Sequence, residues 1–277
     1  MKVKKIGIVS RYDNHGALDM AGKILQTFEK RVDILLSPKT AEHLGREDIA
    51  VPVESMRSAG AELVLSIGGD GTVLRNISKM EDPLPVLGIN MGTLGFLVDV
   101  QPGEAISAIE NVLEGFTYTE RSRLGVLFNG KPLPPATNEV VFITARPAKI
   151  LTFRVSVDES LVEELRADGV VIATPTGSTA YAMSAGGPIV DPRVDAFLIV
   201  PLAPFKLSAR PWVVPATSSI KVEVTIPEKE AVIVIDGQHS YNIKDNDVVT
   251  LTRAKNPARL ISSSVNGFYE KVQSKLA

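Results

Sequence analysis

Leu63-Val64-Leu65-Ser66-Ile67-Gly68-Gly69-Asp70-Gly71-Thr72-Val73-Leu74-Arg75 passes from an apolar, partly β-branched run through a glycine turn into a segment of helical texture. The opening reads as a buried parallel strand, and the glycines allow a sharp turn with bare backbone N–H groups facing outward. A helix is expected from Thr72. Strand, glycine turn and helix N-terminus in that order make an anion site, because unpaired N–H groups and the positive end of the helix dipole converge there. One acid, Asp70, sits inside it. Polyphosphate would repel a carboxylate that held neither a cation nor a proton, so Asp70 is a candidate functional group; an acidic turn residue or N-cap is the plainer alternative.

The chain has 277 residues, which favours two domains over one. Hydrophobic residues make up 44% and charged residues 22%, ordinary for a soluble globular protein. A formal net charge of −2 gives no global attraction to nucleic acid or to an anionic membrane, and neither is expected as a partner. With no cysteine, disulfides, zinc–thiolate sites and thiol nucleophiles are excluded. The basic start, Met1-Lys2-Val3-Lys4-Lys5, leads into the apolar run Ile6 to Val9, too short for a signal-peptide core. No window approaches the ~20 apolar residues of a membrane span. A cytoplasmic protein is the expectation.

Up to about residue 115, strands alternate with helices. Ile6–Val9, Ile34–Leu36, Leu63–Ile67 and Pro85–Ile89 read as strands; Ala17 to Phe28 and Ile106 to Leu113 repeat apolar residues at helical spacing, and two short helical pieces flank Pro52 between Thr40 and Ala59. This order implies βαβ units and a parallel sheet, with ligands beyond the carboxyl ends of its strands. Near residue 117 short β runs and turns take over: Leu124–Phe128, the hairpin signal Asn129-Gly130, Val140–Thr144, Leu151–Val157, Val170–Ala173 and the alternating Ile220–Ile226. The tail from Asn266 to Ala277 turns helical again, spacing Phe268, Val272 and Leu276 four apart. The expected domains are therefore a Rossmann-like parallel-sheet α/β domain at 1–116, a β-rich domain at 117–254, and a segment at 255–277 whose helix returns to the first.

Three further stretches resist explanation by packing. Gly88-Ile89-Asn90-Met91-Gly92-Thr93-Leu94-Gly95-Phe96-Leu97 puts three glycines beyond a strand, either as a tight loop or as a second backbone wall against a ligand. Asp168 to Pro188 feeds a buried strand into Thr174-Pro175-Thr176-Gly177-Ser178-Thr179-Ala180-Tyr181-Ala182-Met183-Ser184, a loop of small and hydroxyl-bearing residues suited to sugar and base edges. It lacks the Gly-x-Ser-x-Gly arrangement, which argues against Ser178 as a nucleophile. Asn138-Glu139 and Asp236-Gly237-Gln238 flank strands as polar ends. His15, His43 and His239 show no metal-ligand spacing.

Together, Gly68 to Thr72, Gly88 to Leu97, Asn138-Glu139, Asp168 to Val190 and Asp236 to Gln238 resemble the NAD kinase family over nearly the whole chain. The glycine turn alone also occurs in lipid kinases and phosphofructokinases; the whole set in this order is far more specific. Pro201 to Pro211 is similar too, except that Phe205 stands where many members carry histidine. The resemblance implies transfer of the terminal phosphoryl group of ATP, or of polyphosphate, to the adenosine-ribose 2′-hydroxyl of NAD, with Asp70 as general base. It further implies phosphate contacts from Gly68, Gly69, Gly71, Thr72 and Arg75. Asn138, Glu139, Asp168, Thr179, Ala180, Tyr181, Ala182, Met183 and Ser184 would hold NAD, with Lys149, Arg166, Ala203 and Gln238 as less distinctive contributors. No dedicated metal cage is expected; Mg²⁺ or Mn²⁺ would arrive on the phosphates. A homodimer or homotetramer is implied as well. A lipid kinase of the diacylglycerol or sphingosine type, or a dinucleotide-binding sensor without activity, stays open as an alternative.

Overall fold

The computed structural model describes residues 2–92, 95–146, 149–225, 230–245, 247–262 and 267–276. Expectations placed on Thr93, Leu94, Ile226, Asn266 and Ala277 lie outside the described residues. The chain forms two compact units, Met1–Glu120 with Ala258–Ala277, and Arg121–Pro257.

The first unit begins β1 (Lys5–Ser10), α1 (His15–Phe28), β2 (Asp33–Leu36), α2 (Pro38–Leu44), β3 (Leu63–Gly68), α3 (Asp70–Lys79), β4 (Val86–Asn90), α4 (Ala105–Glu114) and β5 (Thr119–Arg121). The second comprises β6 (Leu124–Phe128), β7 (Lys131–Ala136), β8 (Glu139–Thr144), β9 (Leu151–Val157), β10 (Ser160–Ala167), β11 (Gly169–Ala173), the single turn α5 (Tyr181–Ser184), β12 (Ala196–Leu202), β13 (Trp212–Pro215), β14 (Ile220–Thr225), β15 (Ala231–Ile235), β16 (His239–Ile243) and β17 (Val248–Arg253). The chain then re-enters the first unit as β18 (Ala258–Ile261) and α6 (Phe268–Leu276).

In the first unit the sheet order is β2-β1-β3-β4-β18-β5, with β2, β1, β3, β4 and β18 parallel. β3 is buried along its whole length because both of its faces are covered. Leu63, Leu65 and Ile67 pack with α1 and α4; Val64 packs on the other side with Val73 and Ile77 of α3. Ser66 on that second face is buried without penalty, since Asn76 Nδ2 of α3 donates to its hydroxyl at 2.9 Å. The chain leaves β1 toward β2 on one side and returns to β3 on the other, so the carboxyl ends of β1 and β3 enclose a topological switch point.

The second unit is two six-stranded antiparallel sheets, β10-β9-β14-β17-β6-β7 and β13-β12-β11-β8-β15-β16. Alternate residues of both, among them Phe153 and Val222 from one and Phe142 and Ile172 from the other, fill one core. Asn129 and Gly130 take φ of 48° and 76°, closing the β6–β7 hairpin that Asn-Gly announces.

Three local expectations are corrected. α3 begins at Asp70, two residues before the expected Thr72, so the acid is the first residue of the helix. Three helical pieces, Pro38–Leu44, Glu47–Ile49 and Val53–Ser55, replace the two expected around Pro52, because Gly45 in the left-handed conformation ends the first one early. The hydroxyl-rich loop is itself partly helical, over Thr176–Thr179 and Tyr181–Ser184.

Candidate active site

Gly69 precedes α3 in extended conformation, and Asp70 opens the helix. The Asp70 side chain does not face its own turn. It reaches 26 to 28 residues along the chain, accepting N–H bonds from Phe96 to Oδ2 (2.6 Å) and from Leu97 and Val98 to Oδ1 (3.1 and 3.2 Å). Three backbone donors fix the carboxylate's rotamer. Oδ1 takes two donors and Oδ2 one, leaving Oδ2 a lone pair for an incoming hydroxyl. Gly95 makes this possible by offering the carboxylate bare backbone.

Asp70 lines a cavity of about 290 Å³ with Arg11, Gly68, Gly69, Met91, Gly92, Gly95 and Lys275. Lys275 comes from α6, and its ammonium stacks 3.9 Å from the Phe96 ring centroid, beside the loop that holds Asp70. Burial moves the Lys275 ammonium below the usual lysine value, opposed by the Asp70 charge and reinforced by Lys271. Lys271 in turn pairs with Asp99, anchoring α6 to the segment after the glycine loop. Arg11 follows β1 and is held by a 2.7 Å contact to Asp13. Neither Arg11 nor Lys275 carries a local signal; the tail and the first strand meet the glycine turn through the fold alone. Thr72 and Arg75 line a separate cavity beyond α3 rather than this one, and Gly71 is exposed at the start of the helix.

In the second unit a buried carboxylate organises one sheet end. Asp236 accepts N–H bonds from Thr137 (2.7 Å), Asn138 (2.8 Å) and Glu139 (3.1 Å). Thr174 at the end of β11 bonds its N–H to the Asn138 carbonyl (2.9 Å) and its hydroxyl to that of Thr137 (2.6 Å), then accepts from the Gly177 N–H at 3.1 Å. Gly177 lies directly on the Asn138 backbone, where any Cβ would collide. Ser178 is consumed structurally: its hydroxyl donates to Pro175 O and accepts from Val190 N.

Glu139, buried beside Asp236, is pushed up to about 8 by burial first and then by the Asp236 charge, with the Tyr181 backbone N–H pulling the other way. Asp236 is also raised by burial, against its three backbone donors and the Arg123 charge. Those three donors favour the ionised form of Asp236, so Glu139, which burial and the Asp236 charge push the other way, is the member of the pair that keeps its proton. Glu139 Oε2 and Asn138 Oδ1 are buried without a hydrogen-bond partner among the described residues, which suits them to a ligand.

Asn138, Glu139, Thr179, Ala180, Tyr181 and Gln238 share this end, since Ala173 pairs with Glu139 and Ile235 with Val140. Ala182, Met183 and Ser184 complete α5 beside them, Ala182 buried and Ser184 exposed. Asp168, Ala203 and Arg166 lie at the opposite end of β11, where Gly169 pairs with Leu202. Arg166 is exposed there under the Phe205 ring, at 5.4 Å. Lys149, exposed, leads into β9 from that same end of β8. Five strand residues at ~3.3 Å each separate the two groups by roughly 17 Å. Among the described residues, no three His, Cys, Asp or Glu side chains converge as a metal cage, and no helix is long and apolar enough to cross a membrane.

A parallel sheet whose switch point carries a glycine turn and a fixed carboxylate defines an α/β phosphate-binding protein. Residues 6–117 match the family model described as ATP-NAD kinase N-terminal domain, and residues 137–263 the ATP-NAD kinase C-terminal domain. The chain belongs to the NAD kinase family. It is 59% identical to an NAD kinase of Methanosarcina mazei over 277 residues, covering 100% of this chain and 95% of the relative. An NAD kinase of Methanothermobacter thermautotrophicus is 48% identical over 98% of this chain and 96% of its own. Among solved structures, an NAD kinase from Archaeoglobus fulgidus in complex with ATP superposes with a TM-score of 0.81 at 29% identity, covering 98% of this chain and 99% of that one. Yeast NADH kinase complexed with NADH shares the fold, with a TM-score of 0.90 at 22% identity over 100% of this chain and 88% of the yeast chain.

Proposed function

We propose that this kinase moves the terminal phosphoryl group of ATP to the adenosine-ribose 2′-hydroxyl of NAD, with Asp70 as general base. The carrying observation is the Asp70 carboxylate, immobilised by three backbone donors at the mouth of a glycine-walled cavity. The 2′-oxygen attacks the terminal phosphorus, its proton passes to Asp70 Oδ2, and the bridging P–O bond breaks to release ADP and NADP. Orientation matters more than base strength, because the transition state is loose and an ordinary carboxylate is a weak base. Backbone N–H groups of Gly69 to Gly71 contact the phosphates in this reading, the Thr72 N–H being taken by the Gly69 carbonyl at 2.9 Å, and Lys275 and Arg11 neutralise charge on the transferring group. A divalent cation, Mg²⁺ or Mn²⁺, enters with the triphosphate and screens its charge.

Asn138, neutral Glu139 and the Thr179 to Ser184 segment receive the NAD ribose and base in this reading; the two orphaned oxygens support it. The distance along β11 to Asp168, Arg166, Ala203 and Lys149 favours a homodimer or homotetramer, in which a second copy supplies that set to the same dinucleotide. A cytoplasmic location belongs to the same proposal. The test mixes purified protein, NAD and Mg²⁺ with either ATP or polyphosphate and detects NADP with an NADP-specific dehydrogenase. NADP formation with ATP supports the assignment; its absence with both donors contradicts it.

A further inference from the structure

Arg123, which stands just before β6, is the largest fully buried side chain among the described residues, at 1% exposure. Burying a guanidinium is unfavourable unless hydrogen bonds and a counter-charge compensate it. Its Nη2 donates to the Pro135 carbonyl in β7 at 3.5 Å, and its Nη1 to the Asn256 carbonyl beyond β17 at 3.4 Å. The backbone there needs such a tie. β7 is an edge strand with prolines at 132, 134 and 135, which donate nothing to a ladder, and its register with β6 shifts between Leu124 and Val126. Directly after β7, Asp236 accepts the N–H groups of Thr137, Asn138 and Glu139. The segment 135–139 is therefore held through a carbonyl by a buried cation and through three amides by a buried anion. Burial raises Asp236, and its backbone donors and the Arg123 charge act against that rise.

We propose that Arg123 is a positioning residue for the dinucleotide: together with Asp236 it sets the end of β8 that presents Asn138 and Glu139. The inference rests on the reading that NAD occupies this sheet end. Arg123 is too buried to meet a ligand, so its action passes through the segment it holds. Asn138 and Glu139 follow Pro135 by three and four residues and carry two buried oxygens without a hydrogen-bond partner among the described residues, so a displaced segment moves them directly. The Thr174 N–H and hydroxyl bond to the carbonyls of Asn138 and Thr137, which couples the hydroxyl-rich loop to the same segment. A methionine at 123 would leave the Pro135 and Asn256 carbonyls without these donors and Asp236 without this charge. A lysine would keep the charge but not the fork that spans both carbonyls.

Calorimetric NAD binding and steady-state kinetics on the full chain, arranged as a double-mutant cycle, test this role. Arg123→Met should raise the Kd and the KM for NAD at least tenfold while shifting the KM for ATP less than twofold, and Arg123→Lys should bind NAD more tightly than Arg123→Met. In an Asp236→Asn background the same Arg123→Met change should weaken NAD binding less than threefold, because its route to the ligand is already broken. An unchanged NAD Kd, equal losses in both KM values, or a loss of threefold or more in the Asp236→Asn background overturns the proposal. Should Arg123→Met alone not fold, circular dichroism of the double variant decides. A folded double variant supports the coupled charges, since neither is then left alone, and an unfolded one overturns the proposal. If the wild-type protein binds NAD and Arg123→Met binds it equally well, this inference fails alone. If the wild-type protein does not bind NAD, the reading of this sheet end fails with it.

Discussion

A Cβ on Gly95 would overlap Asp70 Oδ1 and stand 2.5 Å from its Cγ, so the carboxylate holds its position only because residue 95 has no side chain. The glycine therefore places the proposed base. Gly95→Ala should displace Asp70 from the N–H groups of residues 96 to 98 and lower kcat by about 10²-fold, in the range of a misplaced general base. Near-UV and far-UV circular dichroism and the KM for NAD should stay near wild type. A Gly95→Ala enzyme with full turnover would show that the close approach is incidental.

Lys275 lies in the last turn of α6, yet it lines the same cavity as Asp70. Lys275→Ala should reduce kcat by roughly 10- to 10²-fold, the scale of losing one charge-stabilising donor, and leave the KM for NAD unchanged. Lys275→Arg should recover most of the loss, because the charge is kept. Equal turnover of wild type and Lys275→Ala would remove the lysine from the chemistry and leave it a packing role against Phe96.

The α/β half and the β half were legible because local periodicity decides each: β3, β9 and β15 carry patterns that neighbouring strands reinforce. The start of α3 was misplaced because Gly-Gly-Asp-Gly lacks helix formers, and tertiary contacts from Phe96 to Val98 override that propensity. Asp70 was recognisable as a lone acid in an anion turn. Its partners were not, since a bond across 26 residues leaves no periodic trace, and the same holds for Arg11 and Lys275. Asp236 was visible as a polar strand end without a role; its function as the cap of Thr137, Asn138 and Glu139 exists only after β15 pairs with β8.

Asp236→Asn should destabilise the second unit, because an amide group would face at least one of three backbone donors now satisfied by oxygen. A loss of about 1–3 kcal/mol is expected by denaturant titration, with weaker NAD binding through the displaced Asn138 and Glu139. Unaltered stability and NAD affinity would show that these amides are satisfied without the acid.

Glu139 gives a pH dependence whose sign is fixed. Its folded value of about 8 lies above the ordinary carboxylate value, so between the two the folded state binds the extra proton and stability falls as pH rises. Tm measured from pH 5 to pH 8.5 should decline for the wild type and decline less for Glu139→Gln, which has no proton to lose. Parallel Tm profiles would mean that Glu139 is already ionised in the folded protein.

In the proposed reaction the fixed carboxylate at the head of α3 accepts the proton of the NAD 2′-hydroxyl. Steady-state turnover of Asp70→Asn with saturating ATP and NAD, beside NAD binding measured by calorimetry, tests it most directly. The kcat of Asp70→Asn is expected to fall by about 10²- to 10⁴-fold with the NAD Kd within twofold of wild type. Turnover within threefold of wild type in that variant would contradict it.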